Sequence, residues 1–264
     1  MPSTSESPPA EFTARVENRD ARGRIVLVCE HASNAFPDVF GTLGLSNELQ
    51  SAHIAWDPGA LGLARGLARR LDALLVHAPV SRLVFDCNRP PNASGAITPQ
   101  SEMYPVPGNA GLAPEGRLSR VEAVYLPFQN GLHSEIARRL TRGPAPVIVT
   151  VHSFTPSWFG TPRDVELGII HDEDPRYATA VLAEARARTR LKTELNAPYS
   201  AADGVTHTLR LQAQPYGLAN VMLEIRNDLI ADAEAEEAMA EMLAPVLEAA
   251  LAAVDIPQST EIRG

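Results

Sequence analysis

Five apolar runs punctuate the chain, at residues 25–29, 74–79, 147–151, 167–171 and 221–225. Several are continuous rather than alternating, which is the pattern of strands covered on both faces. Helical periodicity fills the intervals. "GALGLARGLARRLDA" sets Leu63, Leu67 and Leu71, with Ala60, Ala64 and Ala68, on one face. "DPRYATAVLAEARART" and the acidic "DAEAEEAMAEMLAPVLEAALAAV" are Ala-rich helix formers. Alternation of strand and helix predicts an α/β protein with a mixed, mostly parallel sheet flanked by helices in one three-layer domain. The domain is expected over residues 21–257. A polar, Pro-rich tail over 1–20 and a short tail over 258–264 flank it. Residues 90–114 hold six prolines and read as one long loop, a kind of segment that often carries function.

Composition narrows the class. The 264 residues carry a net charge of −9, which argues against a nucleic-acid partner. No 18-residue apolar stretch exists, so no membrane span is expected. The first residues lack a basic segment followed by an apolar one, so they do not read as a signal peptide, and the cytoplasm is the expected compartment. Cys29 and Cys87 both lie in apolar runs and read as buried free thiols.

The candidate chemistry sits where apolar runs stop. "RIVLVCEHASNAFP" ends its run at Glu30-His31, and "VIVTVHSFTP" carries His152. In α/β sheets, reactive groups gather at the carboxyl ends of strands. Two such histidines can converge on one metal ion, and zinc commonly takes imidazole with a carboxylate while leaving a position for water. Asp57 in "HIAWDPGA" is the third candidate ligand. An Asp-Pro pair before a helix also fits an N-cap, and Glu30 and Asn34 stand in reserve. Glu30, next to His31 along the chain, is expected to point away from the pocket and to pair with an arginine.

Glu224 in "VMLEIRNDL" is a carboxylate near the end of a buried run. It reads either as a general base beside metal-bound water or as the partner of Arg226. Arg82, Asn88 and Arg89 cluster around Asp86 in "SRLVFDCNRPP", and guanidinium groups with an amide suit a small anionic substrate. His207 and Arg226 complete the substrate-binding candidates. The chain has no G-x-S-x-G elbow, phosphate-binding glycine loop, H-E-x-x-H or C-x-x-C.

Taken in order, "CEHASNAFP", "IAWDPGA", "SRLVFDCNRPP", "VTVHSFTP", "LNAPYS" and "LEIRNDL" resemble the N-formylglutamate amidohydrolase family over residues 25–230. The first motif departs from the P-H-S-G of better-known members. The resemblance implies a fold like that of zinc carboxypeptidases and aspartoacylase, with one zinc ion at the strand ends. It implies hydrolysis of the amide of a small anionic N-acyl amino acid. His31 and His152 match the histidine ligands, and Asp57 stands where the carboxylate ligand does. Arg82, Asn88 and Arg89 resemble the grip on the substrate carboxylate, and Glu224 resembles the catalytic glutamate. A deacylase of other acyl specificity, a peptidase, and a metal-free small-acid binder on the same fold are the alternatives.

Overall fold

The computed structural model describes residues 12–254, and a seven-stranded sheet forms its centre. The strands are β1 (Arg15–Glu17), β2 (Ile25–Cys29), β3 (Leu74–His77), β4 (Val147–Phe154), β5 (Leu167–Ile170), β6 (Thr193–Leu195) and β7 (Asn220–Arg226). Their spatial order is β1-β3-β2-β4-β7-β5-β6. The pairs β2–β3, β2–β4, β4–β7 and β5–β6 run parallel, while β1–β3 and β5–β7 run antiparallel. The four long helices are α1 (Ala60–Arg70), α2 (Leu126–Leu140), α3 (Arg176–Arg188) and α4 (Ala233–Val254). The sheet is thus mixed and mostly parallel between helical layers, as the alternation predicts.

Strand parity decides which side chain meets which layer. Odd-numbered Ile25, Leu27, Val149, Val151, Ile169 and Leu223 pack with α1, α3 and α4. Even-numbered Val26, Val28, Ile148, Ile170 and Met222 pack on the other face, with α2 and the long excursion between β3 and β4. The apolar face of α1 buries Leu63 and Leu67 fully, at about 1.5–3 kcal/mol per side chain of this size. Gly66 lets α1 lie against α4, because a Cβ there would stand 2.6 Å from that of Ala240. Both cysteines are buried free thiols. None of the described helices is long and apolar enough to cross a membrane.

Three details differ from the sequence reading. Residues 1–11 and 255–264 lie outside the described residues, but Arg15–Glu17 of the expected tail pairs with β3 as the edge of the sheet. Phe12 is buried beside it. The segment 90–114 is not one open loop, since Gln100–Ser101 and Tyr104–Pro105 form a small hairpin between short helical turns. "SRLVFDCNRPP", with its apolar stretch 83–85, forms no strand and joins no sheet. It is a buried turn-rich crossover that leaves β3, and Ser81 ties it to the carbonyl of Ala55 at 2.7 Å.

Candidate active site

Parity brings the titratable groups together. Thr150, His152, Met222 and Glu224 fall on the even face of two adjacent strands, and the register pairs His152 directly with Glu224. On the far side of β7, Glu224 lies opposite Gly168, whose lack of a side chain accommodates it: a Cβ there would stand 3.2 Å from that of Glu224. His31 stands two residues beyond Cys29, the last residue of β2. Its carbonyl accepts the backbone N–H of Asp57 at 2.9 Å, which fixes the loop before α1 against the end of β2. Ser153 reinforces that seam by donating its hydroxyl to the carbonyl of Pro58 at 2.7 Å.

His31, Asp57 and His152 meet at the floor of a cavity of about 600 Å³. Asp57 Oδ2 lies 3.2 Å from His31 Nδ1 and 2.8 Å from His152 Nδ1, and the two Nδ1 atoms are 3.1 Å apart. The opposite nitrogen of each ring faces a carboxylate: His31 Nε2 is 2.7 Å from Asp86 Oδ1, and His152 Nε2 is 3.1 Å from Glu30 Oε2. With an ion between the Nδ1 atoms, these carboxylates would take the Nε2 protons and leave both Nδ1 lone pairs directed at one point. Two facing lone pairs repel unless a proton or a cation lies between them. Bonds of ~2.0–2.1 Å in tetrahedral geometry would separate zinc ligands by ~3.3 Å, close to the spacing found. The donor set therefore fits a divalent metal ion.

Electrostatics point the same way. Burial opposes charge on both rings, yet Asp86 and Asp57 raise the pKa of His31, while Glu30 and Asp57 lift that of His152 well above its ordinary value. Burial likewise opposes ionisation of Asp57, but the two imidazoles hold it well below the usual carboxylate range. At Glu224 burial is offset only in part by the charges of His152, His31 and Arg82. Burial, joined by the charge of Asp57, pushes its carboxyl up to about 7, and its Oε2 has no hydrogen-bond partner.

The expected residues divide. Asp57 does not cap α1 with its side chain, because Gly59 holds the cap position and the Asp57 carboxylate faces the histidines. Glu30 does not pair with an arginine. Continuing the β2–β4 register places it beside His152. Asn34 turns to the carbonyl of Gln50. Arg82 bridges Asp57 Oδ1 at 3.3 Å and Asp86 Oδ2 at 3.0 Å. Arg89 lines the same wall, with Nη1 on the carbonyl of Asp203 and Nε 3.9 Å from Asp86. Asn88 donates to the carbonyl of Val205 and accepts from the backbone N–H of Thr208, so its amide fastens the 205–208 segment. His207 bonds the Tyr125 hydroxyl at 2.8 Å and does not reach the cavity lining. Arg226 also stays outside the lining; it pairs with Asp228 at 2.8 Å and Glu166 at 3.6 Å rather than with Glu224.

Sequence reasoning passed over Asp86 as the partner of His31, although an acid inside the apolar run 83–87 was a signal. It also passed over Arg163 and Tyr199, which line the wall beyond His152 and Glu224. Nothing local in "GTPRDVE" marks that arginine, which reaches the cavity through the hairpin of Ser157–Trp158 with Thr161–Pro162.

The arrangement defines an α/β fold of the amidohydrolase type, with a metal-competent His-Asp-His group at the ends of central strands. The chain belongs to the N-formylglutamate amidohydrolase family, whose model matches residues 23–231. The gene product Atu2144 of Agrobacterium tumefaciens is 48% identical, with a TM-score of 0.91 over 94% of this chain and 99% of that one. The N-formylglutamate amidohydrolase of Ralstonia eutropha JMP134 is 16% identical and shares the fold, with a TM-score of 0.65 over 92% of this chain and 98% of that one. No curated protein matches.

Proposed function

We propose that the protein is a zinc-dependent hydrolase that cleaves the amide of an N-formyl or other N-acyl amino acid. The observation that carries this reading is the meeting of three ligand atoms, from His31, Asp57 and His152, beside a buried and unpartnered Glu224. His31, Asp57 and His152 would hold the metal, with Asp86 and Glu30 orienting the rings. Zinc bound there supplies a Lewis acid for the scissile carbonyl and makes its water a nucleophile near neutral pH.

Glu224 takes the proton of the attacking water and returns it to the leaving nitrogen, the work of a carboxylate that serves first as general base and then as general acid. The net change adds one water across the C–N bond and gives a carboxylic acid and an amino acid. Arg89 meets the substrate α-carboxylate. Arg82 is held by two carboxylates and stiffens Asp57 and Asp86, while Asn88 sets the loop that closes this wall. Membership of the family and the family-type fold support amide hydrolysis as the reaction class.

The test is release of free amine from N-formyl-L-glutamate, N-acetyl-L-glutamate and dipeptides, by protein stripped of metal and by protein reloaded with zinc. Zinc-restored turnover of the N-acyl amino acids is expected. Zinc bound at one equivalent with no turnover of any of them would overturn the reading.

A further inference from the structure

Of the three arginines that line the cavity, Arg82 and Arg89 lie within 4.0 Å of carboxylates and Arg163 does not. Its Cζ instead lies 4.9 Å from the Trp158 ring centroid, 5.0 Å from Tyr199 and 5.5 Å from Phe154. Aromatic faces stabilise a cation without using its N–H donors. Nη1 of Arg163 is shut off from solvent and has no hydrogen-bond partner, an arrangement that is costly until an acceptor arrives. The backbone beneath it is fixed on both sides. Its N–H donates to Pro156 at 2.8 Å, and its carbonyl accepts from Arg226 Nη1 at 3.3 Å. A guanidinium that lies among aromatic rings, on a fixed backbone and with no carboxylate within 4.0 Å, can take an anion that enters the cavity.

We infer that Arg163 is a specificity-determining residue that receives a carboxylate of the substrate, on the wall formed by Phe154, Trp158 and Tyr199. This rests on the hydrolase reading for the substrate's identity, but not for the binding itself. Arg82 and Arg89 are already largely neutralised by Asp57 and Asp86. A substrate with two carboxylates would therefore owe its affinity mainly to the one that Arg163 takes. Arg226 is a positioning residue here: its ion pairs with Glu166 and Asp228 hold the arm that supports the Arg163 carbonyl.

The experiment is a cycle of protein and substrate changes. Wild type, Arg163→Gln and Arg163→Lys, zinc-loaded and matched for melting temperature, are assayed on N-formyl-L-glutamate, its α-amide and its γ-amide. The expected result is a loss of about 10- to 100-fold in kcat/KM for Arg163→Gln on the diacid, the scale of one charge-assisted pair. On one of the two amides that loss should vanish, identifying the carboxylate received. Arg163→Lys, which keeps the charge and loses the fork, should fall between. Equal losses on all three substrates, or no loss on any, would overturn the assignment while leaving the hydrolase reading intact. If wild type turns over none of them, calorimetric titration with glutarate decides. Binding that weakens at least 10-fold in Arg163→Gln sustains the anion site although the hydrolase reading fails, and unchanged or absent binding removes it.

Discussion

At the scale of single residues, Glu224 separates chemistry from architecture most sharply. Its carboxyl is buried and stands beside His152 in register, and the arginine two positions along the strand is engaged elsewhere. Glu224→Gln keeps the size and cannot accept a proton. We expect kcat to fall roughly 10²-fold or more, with zinc content unchanged. The stability effect has a definite sign. The folded value near 7 lies above the ordinary 4.5, so between these values the folded state keeps a proton that the unfolded state has lost. Stability of the metal-free protein then declines as pH rises through that window. At pH 8 the metal-free Gln variant should melt no lower than wild type, and the comparison should shift against the variant as pH approaches 4.5. A variant that melts well below wild type at pH 8 and keeps full kcat would make Glu224 structural. For the metal, His31→Ala and His152→Ala should each abolish stoichiometric zinc binding by elemental analysis. Full occupancy in both variants would place the ion elsewhere.

At the scale of elements, legibility followed length and burial. β2, β4 and β7 are long central strands with continuous apolar runs, and their polar interruptions at His152 and Glu224 were visible for that reason. β1 and β6, "RVE" and "TEL", were not. Three-residue edge strands with mixed polarity carry too little periodicity, and their pairing is decided by neighbours distant in sequence. The convergence of His31, Asp57 and His152 was readable because each stands at a strand end or directly before a helix. The engagement of Arg226 with Glu166, of Asn88 with Val205 and Thr208, and of Arg163 with three rings was not, because each depends on how a loop folds back. Parity within the sheet also makes a prediction. Gly168 of β5 faces Glu224, and a Cβ there would stand 2.2 Å from the carbonyl of Ala197. Gly168→Ala should cost about 1–3 kcal/mol by overpacking, read as a lower denaturation midpoint, and should lower kcat by moving Glu224. An unaffected midpoint would mean that the 197–198 segment yields freely.

At the scale of the whole molecule, the candidate metal site joins segments near residues 30, 57, 86, 152 and 224. An ion held there binds only the folded chain, so it stabilises by mass action: about 2.7 kcal/mol at a free concentration 100 times its dissociation constant. Chelation should therefore lower the melting temperature reversibly, and zinc should restore it. An ion whose removal leaves the melting temperature unchanged would not be bound at this junction.

The sheet order has a consequence for how the chain comes off the ribosome. Among the described residues β7 is the last strand made, yet it occupies the slot between β4 and β5. Until residues 220–226 emerge, the nascent sheet is split. Its two inner edges, "VIVTVHSF" and "LGII", are apolar and unpaired. Open apolar edges are templates for pairing with other chains. A fragment ending at residue 219 should therefore aggregate where the full chain stays soluble. Recovering it as a dispersed monomer in light scattering would show that the helices alone shield the gap.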